Sequence, residues 1–283
     1  MSLVVLATGP LATVQDRGRP GWAAFGVSPS GAADRGALDL GNRLVGNVDH
    51  AAGIEVTLGG LQVRATTAHA VSLTGADAPA TVDGRPVGTH ATLRLDTGAT
   101  LALGAPPWGL RTYLAVRGGV AVPPVLGSRS YDVLSGLGPA PLAVGDELPI
   151  GAPLVPLPDA DWAPVPMPPA EDVLAGAPGP REDWFAAPHQ LFTARWQVSD
   201  DTDRVGVRLD GPALERTHSG ELASEGVVRG AVQVPPSGRP VVLLADHPVT
   251  GGYPVIAVLT GPATDRLAQL RPGRTVRFRR SGG

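Results

Sequence analysis

From residue 54 to residue 150 the chain alternates short apolar-rich runs with Gly, Pro and Asp turns. The runs at 61–64, 70–73, 91–95, 100–103 and 111–116 predict strands, and Asp83-Gly84 predicts a hairpin turn. One stretch has a helical period instead, 31–44, with Ala37, Leu38, Leu44 and Val45 on its buried side and Ser30 as N-cap. Asp34 follows Ser30 by four positions rather than three, so a strict capping box is missing. A second short helix is predicted at 265–270. The pattern as a whole predicts a β-rich barrel architecture with a few helices.

A seven-residue pattern recurs. Leu95-Asp96-Thr97-Gly98-Ala99-Thr100-Leu101 is echoed by Leu142-Ala143-Val144-Gly145-Asp146-Glu147-Leu148 and by Leu270-Arg271-Pro272-Gly273-Arg274-Thr275-Val276. Each copy predicts a tight turn that feeds a strand. A second echo pairs Val27-Ser28-Pro29-Ser30-Gly31 with Val234-Pro235-Pro236-Ser237-Gly238. Together they suggest two related units. Between the units lies a Pro-rich stretch, 151–181, in which nine residues are proline. Such a stretch favours extended backbone and predicts a linker rather than a central strand. The expected division is an N-terminal domain at 1–150, the linker at 151–181 and a C-terminal domain at 182–283. The boundary is approximate and admits an exchange of segments between the domains.

Composition sharpens this picture. Among 283 residues, 38 Gly and 30 Pro fit many short strands joined by tight turns. All 23 basic residues are arginine, and there is no cysteine. The chain therefore offers no Schiff base, no phosphate-loop lysine, no thiolate nucleophile and no lysine to carry biotin. Absence of cysteine fits a reducing compartment. The formal net charge of −3, with arginine spread along the chain, leaves no electrostatic footprint for nucleic acid. No apolar run approaches the roughly 18 residues that span a bilayer. Cytoplasmic residence and no membrane contact are the expectations.

The familiar catalytic signatures are missing. No G-x-S-x-G elbow occurs, and the six histidines show no metal-ligating spacing, so no metal site is expected. What remains is polar groups set in Gly/Pro-rich turns. Asp16 suits either an Asx turn with Gly18 or a ligand contact, and Ser30 either a helix cap or a ligand contact. Arg129, in Gly127-Ser128-Arg129-Ser130, suits a structural ion pair or the binding of a carboxylate or phosphate. His247 reads as packing or as an acid–base group. Gly251-Gly252, between Thr250 and Tyr253, is a plain bend or a place where a ligand approaches backbone N–H donors. Glu225 and Asp246 are the acid–base candidates, because carboxylates near apolar strands can have raised pKa values. Substrate-binding candidates are Asp16, Ser30, Asp34, Arg129, Ser130, Gln233, Thr250, Gly251, Gly252 and Tyr253. The expectation is that Arg129, Glu225, Asp246 and Gly252 face a common cleft.

The same segments carry a family resemblance. Thr13-Val14-Gln15-Asp16-Arg17-Gly18-Arg19-Pro20-Gly21 with Pro29-Ser30-Gly31-Ala32-Ala33-Asp34 resembles the opening of the biotin-dependent carboxyltransferase, or allophanate-hydrolase-subunit-2, family. Glu55-Val56-Thr57-Leu58-Gly59-Gly60, Leu73-Thr74-Gly75-Ala76-Asp77 and Gly127-Ser128-Arg129-Ser130 continue it. So do Ser224-Glu225-Gly226, Gly230-Ala231-Val232-Gln233-Val234-Pro235-Pro236 and Thr250-Gly251-Gly252-Tyr253-Pro254. The chain departs from the family pattern at Ala33, at Tyr131 to Gly138, at Val205, and at His247 and Pro248.

The resemblance implies tandem cyclophilin-like β-barrel domains with a few short helices. Within that family the chain is most similar to the C-type component of 5-oxoprolinases. That similarity implies work with B-type and A-type partner proteins on a small lactam, 5-oxoproline, on the way to L-glutamate. It also implies ATP with Mg, bound jointly with the B-type partner, no covalent biotin on this chain, and inactivity alone. Two alternatives stay open: a carboxyltransferase component for urea or a related amide using a partner's carboxybiotin, and a non-catalytic regulatory partner of a B-type protein.

Overall fold

The computed structural model describes residues 1–218, 220 and 222–281. The chain is mainly β, with three α-helices among the described residues, and it divides into two compact units. Unit 1 comprises 1–19, 30–132 and 136–168, and unit 2 comprises 20–29, 133–135 and 169–283.

Unit 1 is built from two antiparallel sheets. One has six strands in the order Glu147–Pro149, Ser2–Thr8, Leu61–Ala65, Thr100–Leu103, Ala80–Val82 and Arg85–Val87. The other has five, in the order Leu11–Gln15, Gly53–Thr57, Arg111–Val116, His69–Gly75 and Thr92–Leu95. Leu3, Val63 and Leu101 from the first sheet join Val14, Ile54, Leu73 and Leu114 from the second in one hydrophobic cluster. The strand Leu61–Ala65 alternates buried and exposed positions, as a strand with one wet face must. The strand Arg111–Val116 is buried at every position because its outer face is covered as well.

The cover is the helix Arg35–Leu44. Its buried Ala37 and Leu38 pack with Ala32 and Tyr113, and Leu44 and Val45 are buried too, on the side the periodicity predicts. Strand side chains bind helix carbonyls: Ser72 Oγ donates to Gly41 O at 2.8 Å and Thr74 Oγ1 to Ala37 O at 2.7 Å. The approach is close because position 41 is glycine. A Cβ there meets Thr74 Oγ1 at 3.0 Å and Ala115 Cβ at 3.2 Å.

The helix starts later than the sequence suggests, and its cap is Asp34, not Ser30. Asp34 Oδ1 accepts from Ala37 N at 2.9 Å. Ser30 has φ +52°, a left-handed conformation that no helix start adopts, and Ala32 N is held by Asp16 O at 2.9 Å. Two further bonds place the cap: Ala33 N donates to Glu55 Oε2 at 3.0 Å, and Asp34 N to Tyr113 Oη at 2.8 Å. Tyr113 Oη in turn donates to the same Glu55 oxygen at 2.7 Å.

Unit 2 contains a closed seven-stranded barrel. Its order is Asp172–Pro178, Val255–Leu259, Ala231–Gln233, Val241–Leu243, Gly206–Asp210, Trp196–Val198 and Thr275–Arg280. Parallel pairing of Asp172–Pro178 with Thr275–Arg280 closes the ring, so no edge is left unpaired. The helix Gly261–Leu267 follows the barrel strand Val255–Leu259, with Thr260 as its N-cap. It begins earlier than the 265–270 expectation, because Pro262 sits in its first turn, where a missing N–H costs nothing.

The stretch 151–181 differs from the linker expected there. Its last part, Asp172–Pro178, is a barrel strand paired on both sides, and its single proline stands at the final position. The earlier part, as far as residue 168, belongs to unit 1 and is held through its non-proline residues: Thr92 N donates to Asp161 O at 2.7 Å and Ala163 N to His90 O at 2.8 Å. Proline density marks the first part as extended, but it says nothing of Asp172 to Ala177, which contain none.

The repeated seven-residue pattern has one physical cause. In all three copies the glycine takes a positive φ: Gly98 +83°, Gly145 +95° and Gly273 +83°. In all three the next residue's N–H returns to a carbonyl three positions back: Ala99 to Asp96, Asp146 to Ala143 and Arg274 to Arg271. Each turn leads into a strand, at Thr100, Glu147 and Thr275. Asp83-Gly84 likewise joins Ala80–Val82 to Arg85–Val87, with φ +50° and +76° at the two turn residues. No helix among the described residues is long and apolar enough to cross a membrane.

Candidate functional site

Within unit 1, Asp16 is the centre of a buried knot. Its Oδ1 accepts from Gly18 N at 2.7 Å and from the hydroxyls of Ser128 and Ser130, each at 2.6 Å. Its Oδ2 accepts from Arg129 N at 2.7 Å. Ser130 Oγ also accepts from Asp16 N at 2.9 Å, and Ser130 N donates to Ser128 Oγ at 3.0 Å. A carboxylate taken out of water is tolerable only with such company. The knot ties the turn at 16–18 to the loop at 128–130, which explains why both sequence motifs are rich in small polar residues.

The remaining unit 1 candidates are placed as follows. Ser30 is buried and its Oγ donates to Tyr131 O at 3.3 Å, while Asp34 caps the helix. Arg129 Nε donates to Val122 O at 2.7 Å, and no carboxylate pairs with this guanidinium among the described residues. Arg19, 1% exposed, donates from Nη2 to Ser130 O, and its Nε and Nη1 have no hydrogen-bond partner among the described residues.

Unit 2 gathers a second group. A two-stranded ribbon sets Glu225 opposite Gly251 and Gly226 opposite Thr250. Gln233, on a barrel strand, is buried against this ribbon, and Gly251 makes room for it: a Cβ at 251 comes within 2.5 Å of Gln233 Nε2. Gln233 Nε2 donates to Tyr253 O at 3.3 Å. Beside the ribbon opens a cavity of about 1070 Å³, with Arg216, His218, Ser224, Ser237, Gly252 and Tyr253 in its lining. His218 stacks on Trp184 at 4.9 Å and 24°, and Tyr253 is 46% exposed.

The electrostatics of Glu225 differ from the expectation of a raised pKa. Glu225 pairs with Arg181, through Nε to Oε2 at 3.1 Å and a second, shorter contact from Nη2 to Oε1. Hydrogen bonding to Arg181 holds its carboxyl below the ordinary glutamate value, outweighing the upward push of burial. Asp246 is fully buried. Arg204 meets it with Nε to Oδ2 at 2.8 Å and Nη2 to Oδ1 at 3.1 Å, and Val133 N donates to Oδ2 at 3.0 Å. Both oxygens are engaged, and the geometry is that of an ion pair which holds the loop. His247 is also buried, with Nδ1 at 2.7 Å from Pro248 O.

The cavity contains a cation that sequence reasoning passed over. Arg216 donates from Nη2 to Val234 O, while its Nε is buried without a hydrogen-bond partner among the described residues. Burial lowers its pKa from the ordinary arginine value, and Tyr253 acts weakly the other way. Nothing in Glu215-Arg216-Thr217-His218 sets Arg216 apart from the other arginines; only its surroundings do. Arg181 and Arg204, partners of the two carboxylates, were equally invisible. Among the described residues no group of three or more His, Asp or Glu is placed to hold a metal ion.

Asp16, Ser30, Asp34, Arg129 and Ser130 thus belong to unit 1, and Glu225, Gln233, Asp246, Thr250, Gly251, Gly252 and Tyr253 to unit 2. The polar cavity lies wholly within unit 2.

Comparison with known proteins gives this arrangement its family. The family described as "Carboxyltransferase domain, subdomain A and B" matches residues 25–280. The chain is 40% identical to the C-type component of 5-oxoprolinase from Escherichia coli, over 98% of this chain and 90% of that one. It is 35% identical to the protein of the same name from Haemophilus influenzae, over 94% of this chain and 87% of that one. Among solved structures, the urea carboxylase of Kluyveromyces lactis superposes with a TM-score of 0.89 at 29% identity, covering 98% of this chain but only 27% of that one. The chain therefore spans about a quarter of that enzyme and nearly the full length of the two bacterial relatives. With residues 25–280 matched and both bacterial relatives covered almost end to end, the chain belongs to the carboxyltransferase family of subdomains A and B.

Proposed function

We propose that this chain is the C-type component of an ATP-dependent 5-oxoprolinase. In this reading it acts with a B-type partner to phosphorylate the lactam oxygen of 5-oxoproline. An A-type partner then opens the ring to L-glutamate. The observation that carries the reading is the nearly full-length match to proteins named as the C-type component of 5-oxoprolinase, at 40% and 35% identity.

The chemistry supplies the reason for a device of several proteins. A lactam carbonyl is a poor electrophile, because amide resonance places electron density on its oxygen. Attack of that oxygen on the γ-phosphorus of ATP releases ADP and converts the oxygen into a leaving group. Hydrolysis then yields L-glutamate and phosphate. Catalysis of such a transfer rests on positioning and on donors for the developing charge. We assign that role to the backbone amides of Gly251 and Gly252, with Glu225 as the nearby carboxylate. This chain has no lysine for a triphosphate cradle and, among the described residues, no cluster to hold Mg. In this reading ATP and Mg are bound jointly with the B-type partner, in the cytoplasm where ATP is abundant. The reading also carries a cyclophilin-like barrel for each unit.

The test is reconstitution. The chain is co-purified with its A-type and B-type partners, and ADP and L-glutamate are measured after addition of 5-oxoproline and ATP. Stoichiometric formation of both is the expected result, and unchanged 5-oxoproline refutes the reading. The superposition on a urea carboxylase favours a second reading, carboxyl transfer from a partner's carboxybiotin to urea or a related amide. Avidin separates the two: it blocks carboxyl transfer and leaves 5-oxoproline turnover untouched.

A further inference from the structure

We propose that Arg216 is the receptor for the carboxylate of the substrate, and that it, rather than the shape of the cavity, decides which lactams are accepted. The identity of the ligand rests on the 5-oxoprolinase reading; the role of Arg216 as an anion receptor rests on the cavity itself.

Several arginines elsewhere in unit 2 are already neutralised. Arg181 meets Glu225, Arg204 meets Asp246 and Arg239 meets Asp210. Among the described residues Arg216 has one hydrogen bond, to the carbonyl of Val234, and its Nε lies buried without an acceptor there. The one described acid in the same cavity lining, Glu215, is exposed and forms no ion pair with it. A guanidinium partly stripped of water, with no counter-ion among the described residues, favours binding of an anion, and its planar fork matches a carboxylate. The cavity, about 1070 Å³, exceeds what a small lactam fills, so contacts of shape alone do not fix its orientation. An anchored carboxylate leaves the ring free to turn its amide toward the hydroxyls of Ser224 and Ser237 and the backbone of Gly252, which share the lining. Neutral lactams such as 2-pyrrolidinone lack the anchor.

The experiment uses the assembled complex with wild-type chain, Arg216→Lys and Arg216→Gln. The expected result is a rise of at least ~tenfold in KM for 5-oxoproline in Arg216→Gln, with kcat changed far less. Arg216→Lys falls between, since it keeps the charge and loses the fork. Turnover of 2-pyrrolidinone is poor in the wild type and equal in all three proteins. Thermal unfolding of each variant within a few degrees of wild type shows that the fold is retained. An unchanged KM in Arg216→Gln overturns the proposal, and so does an equal loss toward the charged and the neutral lactam. If the complex leaves 5-oxoproline unchanged, the functional reading falls, and Arg216 is judged on binding. Titration of the complex with 5-oxoproline and with its carboxamide then decides: preference for the acid that disappears in Arg216→Gln sustains the receptor, and no preference removes it.

Discussion

Asp16 and Asp246 are both carboxylates withdrawn from water, and each is compensated differently. Asp16 is held by two serine hydroxyls and two backbone amides, Asp246 by the fork of Arg204. Asp246→Ala leaves the Arg204 cation buried without this partner, and a loss of roughly 3–5 kcal/mol is expected in the urea unfolding free energy. Asp16→Ala strands the Ser128 and Ser130 hydroxyls, with an expected loss of about 2–3 kcal/mol by the same measurement. Glu225 is unlike either, being 31% exposed and paired with Arg181, which is 35% exposed. Its pKa is lowered in the folded state, so its contribution is present above the ordinary glutamate value and is lost as pH falls through the lowered one. Glu225→Gln should therefore lower stability slightly at neutral pH and not at all in strong acid. Unfolding midpoints measured across that range check the sign. Residue identity was legible at these positions, and residue role was not: Asp34 takes the cap that local spacing assigns to Ser30, because Glu55 and Tyr113, distant in the chain, fix where the helix begins.

At the scale of elements, local pattern was reliable wherever the cause was local. The strands at 100–103 and 111–116, the Asp83-Gly84 hairpin and the three glycine turns all follow from alternation and positive φ within a few residues. The Pro-rich stretch was misjudged where the cause is remote, since Asp172–Pro178 becomes a strand by pairing with strands nearly 80 or more residues later. Two glycines give opposite predictions about elements. Gly41→Val forces the helix Arg35–Leu44 away from the sheet, and roughly 1–3 kcal/mol should be lost on thermal or urea unfolding. Gly251→Ala meets only the end of the flexible Gln233 side chain. It should leave stability nearly unchanged while displacing Gln233 beside the ribbon, so a raised KM with an intact unfolding midpoint is the expected outcome.

At the scale of the whole molecule, the absence of lysine and cysteine sets the terms. A chain without a triphosphate cradle should release no ADP from ATP when assayed alone, and ADP release should begin on addition of the B-type partner and 5-oxoproline. The sequence by itself determined the β-rich class, the turns, the family and the exclusion of lysine and thiolate chemistry, because composition and short-range geometry are properties of the chain alone. Only the tertiary structure decided that Glu225 is held ionised, that Asp246 is locked to Arg204, and that Arg216 stands in a polar cavity with no counter-ion among the described residues. Those are statements about which charges lie near one another and how much water they keep, and residues tens of positions apart along the chain settle them.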